Sequence, residues 1–273
     1  MTIERVSVVG AGTMGSGIAA LLVMHGYEVD LFDPDAAALE RAKARVAKRT
    51  ADDPAKADGL RLYERLTDAV ASADLVLEAA PEVMALKREL FAEIDASAPT
   101  GAVLATNTSE MSVTYIAAAT ARPADVVGMH WFNPPERMRL VELVRGVRTS
   151  ETALAAARGV AERCGKTVVT VADRQGFVTT RVVAAVLLEA ARIFEEGVAT
   201  RDDIDTAVKL GLNHPMGPLE LADYIGLDTV LFIADSLAEA YGDRFKAPQT
   251  LKKLVEAGRF GRKSGAGYYE ERG

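Results

Sequence analysis

From Arg5 to Val171 the chain alternates short β-branched and aliphatic runs with longer Ala, Leu and charged stretches. Arg5–Val9, Glu28–Phe32, Leu75–Leu77, Ala102–Ala105, Val126–Met129, Leu140–Val144 and Thr167–Val171 read as strands. Between several of them, as over Gly15–Met24 and Met84–Ala96, apolar residues recur at helical spacing among good helix formers. This is the βαβ pattern of an α/β fold with a doubly wound, mostly parallel sheet. After Gly176 strand signals nearly vanish. Val178–Glu196 is apolar on nearly all sides and stops at Gly197, which predicts a helix buried in a core or a subunit interface. Thr200 with Asp203 forms a capping box that opens a helix ending near Gly211. Further helices are predicted over Gly217–Ile225, Asp228–Tyr241 and Pro248–Ala257. The reading is a Rossmann-type domain over residues 1–175 followed by an all-α domain over 176–273.

Charge changes the picture at one stretch, because Val6–Tyr27 contains no Asp, Glu, Lys or Arg. A membrane span needs about 20 predominantly apolar residues, but Gly10, Gly12, Gly15, Gly17 and Gly26 disfavour one continuous helix. A secretory signal begins with net positive charge, whereas Glu4 and Arg5 cancel. No membrane association is expected. The whole chain of 273 residues carries a formal charge of −7, which argues against a broad nucleic-acid-binding surface. Its single cysteine, Cys164, can form no disulfide within the chain, and a cytoplasmic protein is expected. No spacing of ligating residues suggests a metal.

The glycines of the charge-free stretch have a specific use. Gly10-Ala11-Gly12-Thr13-Met14-Gly15 follows the first predicted strand and opens the first helix, the setting a G-x-G-x-x-G motif requires. Gly10 permits the tight turn, Gly12 lets pyrophosphate reach the backbone, and Gly15 lets helix pack on strand. The helix N-terminus, with Thr13 and Met14 in its first turn, offers free N–H groups to phosphate. Asp33 falls just past the second strand, where a carboxylate bonds ribose hydroxyls and repels a 2′-phosphate. NAD is therefore expected over NADP. The alternative use of Asp33 is to cap the next helix.

A dehydrogenase acting on an alcohol needs a base, and there are three histidines. His25, beside Gly26, suits a helix C-cap, and His214 lies in a turn-rich loop suited to packing. His130 follows Val126–Met129, at the carboxyl edge where doubly wound sheets hold their ligands. Glu142 interrupts the apolar run Leu140–Val144, where a carboxylate is costly to bury without a partner. An imidazole N–H is a natural partner; an edge-strand Glu facing water is the alternative. Asn107-Thr108-Ser109 closes the fourth predicted strand, at the same edge or as a simple turn.

In their order along the chain these residues resemble the 3-hydroxyacyl-CoA dehydrogenase family. The likeness rests on Gly10–Gly15, Glu78-Ala79-Ala80-Pro81-Glu82, Asn107-Thr108-Ser109, His130-Trp131-Phe132-Asn133-Pro134, Leu140-Val141-Glu142, Pro215-Met216-Gly217-Pro218 and Gly261-Arg262-Lys263-Ser264-Gly265. The resemblance implies that His130 is the general base, Glu142 its orienting partner and Ser109 a contact to the substrate's 3-oxygen. It further implies nicotinamide-side contacts from Glu82, Lys87, Ser109, Asn133 and Lys263, with Asn107 at the same cofactor site. It also implies an acyl-CoA substrate and a homodimer formed through the helical domain. Where the family carries Asn before Arg, this chain has Thr180 before Arg181, with one hydroxyl in place of an amide. Arg41, Lys43, Arg45, Lys48 and Arg49 form a basic run that meets CoA phosphates or, alternatively, a solvated helix face.

The expected activity is NAD-dependent oxidation of a short (S)-3-hydroxyacyl-CoA such as 3-hydroxybutyryl-CoA. Oxidation of a free 3-hydroxy acid, of the gulonate or carnitine type, is the alternative on the same fold. A non-catalytic NAD-binding protein is a further alternative, against which His130, Glu142 and Ser109 together speak. A hydroxyisobutyrate or phosphogluconate type would place a lysine early in the long helix of the second domain, and Val178–Glu196 contains none.

Overall fold

The computed structural model describes residues 2–270. By its contacts the chain divides into two compact units, one ending at Arg174 and the other beginning at Gln175. The first is built on β1 (Arg5–Val9), β2 (Glu28–Phe32), β3 (Leu60–Tyr63), β4 (Leu75–Glu78), β5 (Val103–Thr106), β6 (Val126–Trp131), β7 (Leu140–Arg145) and β8 (Thr167–Ala172). They form one eight-stranded sheet in the order β3-β2-β1-β4-β5-β6-β7-β8. Every neighbouring pair is parallel except β6 and β7, which run antiparallel. The order reverses at β1, between β2 and β4, which creates the crevice that holds ligands in such sheets.

Helices α1 (Thr13–Met24), α2 (Ala36–Arg49), α3 (Leu66–Val70), α4 (Met84–Ser97), α5 (Val113–Ala117) and α6 (Glu151–Arg163) connect the strands. Because parallel strands are covered on both faces, β4 and β5 are buried along their whole length. The charge-free stretch is β1, the glycine turn and α1, of which Gly15–Val23 are all buried. Asp35, Ser112 and Ser150 accept backbone N–H bonds at the starts of α2, α5 and α6, satisfying donors that a helix leaves open.

Two details differ from the sequence pattern. Leu60–Tyr63 forms edge strand β3, all four residues half-buried, where no alternation marked a strand. Strand β6 runs on to Trp131, so that His130 lies inside the strand and not just past it. Antiparallel pairing with β7 holds it there, with His130 opposite Glu142 and Trp131 opposite Val141.

The second unit is helical: α7 (Thr179–Glu195), α8 (Arg201–Gly211), α9 (Pro218–Ile225), α10 (Leu227–Tyr241) and α11 (Gln249–Glu256). Thr200 caps α8 through the backbone N–H of Asp203. Leu187, Leu188, Leu219, Leu227, Ala234 and Leu237 form the centre of its core. Helix α7 is not apolar-buried on every side: Val178 and Val182 are more than half exposed within the chain. No helix among the described residues is long and apolar enough to cross a membrane.

Candidate active site

The turn after β1 shows what each glycine does. Gly10 adopts φ +104°, and a Cβ there would stand 2.9 Å from the Ala79 carbonyl oxygen. A Cβ on Gly15 would fall 1.7 Å from the Gly10 carbonyl oxygen, which blocks any side chain. Gly12 differs, since nothing lies within 4 Å of its missing Cβ. That open space above backbone N–H groups, at the start of α1 with Thr13 exposed and Met14 half-exposed, is the cradle a pyrophosphate needs. Asp33 is fixed beside it: its Oδ2 accepts from Ala11 N at 2.8 Å and its Oδ1 from Asp35 N at 2.9 Å. The side-chain cap of α2 is Asp35, accepting from Ala37 N, which leaves Asp33 at the carboxyl end of β2 facing the glycine turn.

The next strands along the crevice carry a buried ionic chain. Lys87 of α4 is fully buried and donates to Glu78 Oε1 at 2.6 Å and to the Ala80 carbonyl at 3.2 Å. Its Nζ also lies 3.4 Å from Glu82 Oε2. Glu82 Oε1 in turn accepts from Ser109 N at 2.6 Å and from the Thr108 hydroxyl at 3.0 Å. Beyond its ion pair with Lys87, Glu82 Oε2, which is buried, accepts no hydrogen bond among the described residues, so it can also take a ligand hydroxyl. Asn107 ties β5 to β6 through its Oδ1, which accepts from Trp131 N at 2.9 Å. Lysines normally keep their ammonium in water, so nothing in the sequence singled Lys87 out as buried.

His130 and Glu142 meet side by side. His130 Nδ1 lies 2.8 Å from Glu142 Oε2, with the imidazole 5% exposed and the carboxylate fully buried. The Phe132 ring packs 4.3 Å from the imidazole, centroid to centroid. With Nδ1–H donating to the carboxylate, the neutral ring carries its lone pair on Nε2. The water-facing alternative for Glu142 is excluded by its burial.

Asn133 follows at the start of the β6–β7 loop, joined to Pro134 by a cis peptide bond. Cations from outside this loop hold it. Arg45 of α2 binds Glu136 with Nε to Oε1 at 2.9 Å and Nη2 to Oε2 at 3.0 Å, and reaches the Thr13 carbonyl and the Ser16 hydroxyl. Lys166 donates to the Pro135 and Met138 carbonyls at 2.6 and 2.8 Å. The basic run is thus partly spent on carboxylates of the same chain: Arg41 pairs with Asp35 at the surface, and Arg45 and Arg49 with Glu136.

The other sequence candidates each lie within their own unit. His25 Nδ1 lies 2.8 Å from the Leu21 carbonyl, closing α1. In the helical unit Thr180 is buried in the first turn of α7, and Lys263 binds Asp228, 2.5 Å from each carboxylate oxygen. His214 lines an apolar groove with Val178, Val182, Val186 and Met216. Among the described residues no group of three or more His, Cys, Asp or Glu could hold a metal ion.

Comparison with known proteins decides the family. The model of the 3-hydroxyacyl-CoA dehydrogenase NAD-binding domain matches residues 5–174, and that of the C-terminal domain matches residues 176–271. The chain belongs to the 3-hydroxyacyl-CoA dehydrogenase family. It is 42% identical to a 3-hydroxybutyryl-CoA dehydrogenase of Mycobacterium tuberculosis over 280 residues, covering 98% of both chains. A relative of the same name from Bradyrhizobium diazoefficiens is 40% identical, covering 99% of this chain and 96% of the other. The solved structure of (S)-3-hydroxybutyryl-CoA dehydrogenase from Ralstonia eutropha superposes with a TM-score of 0.95 at 38% identity, covering all of both chains.

This dehydrogenase is therefore an oxidoreductase acting on a CH–OH group with NAD. The residues fit that cofactor: the empty space over Gly12 admits a pyrophosphate, Asp33 stands ready for a ribose, and Glu82 Oε2 offers a further hydroxyl acceptor beside its pairing with Lys87.

Proposed function

We propose that the protein oxidises short-chain (S)-3-hydroxyacyl-CoA, with 3-hydroxybutyryl-CoA and its product acetoacetyl-CoA as the working pair. The observation that carries this reading is the buried His130–Glu142 pair, 2.8 Å apart, since binding a dinucleotide needs neither a base nor a carboxylate to orient it. Gly10, Gly12, Gly15 and the first turn of α1 hold the pyrophosphate, Asp33 the adenosine ribose, and Glu82, Asn107, Ser109 and Asn133 the nicotinamide end, with Lys87, whose ammonium is spent on Glu78, Ala80 and Glu82, behind them. Bound NAD supplies the acceptor for the hydride that leaves C3.

His130 Nε2 takes the 3-hydroxyl proton. An imidazole whose Nδ1–H is held by a carboxylate presents the lone pair of Nε2 for this transfer. Glu142 fixes the tautomer and balances the positive charge as it forms, and its burial makes that balance strong. The Ser109 hydroxyl holds the 3-oxygen, on a loop whose backbone Glu82 pins at Ser109 N.

A short acyl-CoA is supported by relatives named for 3-hydroxybutyryl-CoA that match over nearly the full chain. The exposed valines of α7 support a homodimer through the helical unit, and the buried, unpaired Cys164 a cytoplasmic setting. NADH oxidation measured with acetoacetyl-CoA and with free acetoacetate tests the substrate. The CoA ester is expected to have a kcat/KM at least about 100-fold higher, and equal rates would favour a free 3-hydroxy acid.

A further inference from the structure

Glu78 carries none of the assigned roles, yet its carboxylate accepts from three donors at the crevice. It ends β4 with no solvent exposure. Its Oε1 accepts from Lys87 Nζ and from Ala80 N, both at 2.6 Å, and its Oε2 accepts from the Thr106 hydroxyl at 2.6 Å. Every donor comes from a segment at the carboxyl edge: β5 through Thr106, the β4–α4 turn through Ala80, and α4 through Lys87. Ala79, the neighbour of Glu78, touches the space a Gly10 or Gly15 side chain would need. Glu78 therefore sits directly under both the phosphate turn and the nicotinamide-side loop.

A fully buried ammonium persists only beside a compensating charge. Glu78 supplies it, and the geometry leaves Lys87 with one more direction to act. Of its three N–H donors, one meets Glu78 and one the Ala80 carbonyl, while Glu82 Oε2 stands 3.4 Å away. The charge on Lys87 is thereby presented to Glu82, whose other oxygen holds Ser109 N and the Thr108 hydroxyl.

We infer that Glu78 is a positioning residue for the cofactor: it keeps Lys87 charged and aimed at Glu82, and so sets Glu82 and the Ser109 loop for the nicotinamide end. The inference rests on the proposed roles of Glu82 and Ser109. It differs from a packing role in a measurable way, because packing needs only that the two buried charges be present or absent together.

The test uses the whole protein as wild type, Glu78→Gln, Lys87→Met and the double variant, each melted and titrated with NADH. Either single variant leaves one buried charge uncompensated and is expected to melt lower, with NADH binding weakened about tenfold or more. The double variant removes both charges and is expected to recover most of the melting temperature while NADH binding stays about tenfold weak. Recovery of both in the double variant would overturn the inference, as would wild-type NADH affinity in a folded Glu78→Gln. If a single variant does not fold, the double variant alone decides. Wild-type protein that bound no NADH would instead overturn the cofactor reading beneath it.

Discussion

At the scale of single residues the chemistry turns on environment more than on residue type. The chain has three histidines, and only His130 is given a buried carboxylate partner; His25 is spent on a helix end. That difference was half legible. The sequence marked Glu142 as a carboxylate that needed a partner, but which face of its strand it took depended on the β6–β7 register, which no residue pattern fixes. Glu142→Gln keeps shape and a hydrogen-bond acceptor while removing the charge that balances the imidazolium. It is expected to lower kcat by about 100-fold with little change in NADH affinity, and unchanged kcat would contradict the orienting role. Thr180→Val keeps the volume of a buried side chain while deleting its hydroxyl. It is expected to lower kcat/KM for acetoacetyl-CoA by about tenfold, whereas Thr180→Asn, which restores the family residue, should match or exceed wild type. Lys87 and Glu78 were less legible still. Their pairing joins a strand end to the following helix across a turn, and only the closing of the crevice reveals that both are buried.

At the scale of elements, the glycine turn separates folding from binding. Alanine at Gly15 meets the Gly10 carbonyl and should disrupt the β1–α1 turn, whereas alanine at Gly12 meets nothing in the protein. Gly12→Ala is thus expected to melt within a few degrees of wild type and to bind NADH at least about tenfold more weakly, because its methyl occupies the phosphate approach. Thermal melts beside an NADH titration check both halves of the statement. On α6 the expectation is silence: Cys164 ends the helix buried, and burial pushes its thiol up to about 12. It should resist a thiol reagent at pH 8 in the native protein and react after denaturation. The strands with continuous apolar runs were plain in the sequence. Strand β3 was not, since Leu60-Arg61-Leu62-Tyr63 sits at the sheet edge, where half-burial leaves no strong alternation and pairing with β2 alone makes it a strand. The end of β6 was misread for a related reason. Pairing with β7 carries the strand past Met129, and the polar character of His130 suggested a loop.

At the scale of the molecule, the Val6–Tyr27 stretch that invited a membrane reading is the buried heart of a cofactor domain, and it adds no acidic group of its own to the phosphate site. The helical unit leaves Val178, just before α7, and Val182 within it exposed along an apolar groove. If these valines face a second copy, light scattering of the wild type gives a dimer mass, and Val182→Asp shifts it toward the monomer; a monomeric wild type would contradict that arrangement. The claim on which the rest depends is that His130 moves the proton. His130→Asn is the sharpest variant, because its amide nitrogen stands where Nδ1 does and can still donate to Glu142, sparing the buried carboxylate, while the side chain can no longer act as a base. The measurement is kcat for NADH-dependent reduction of acetoacetyl-CoA, wild type against His130→Asn, with NADH affinity as the control. A loss of about 1,000-fold or more in kcat at near-normal NADH affinity is expected, and turnover within a few-fold of wild type would contradict it.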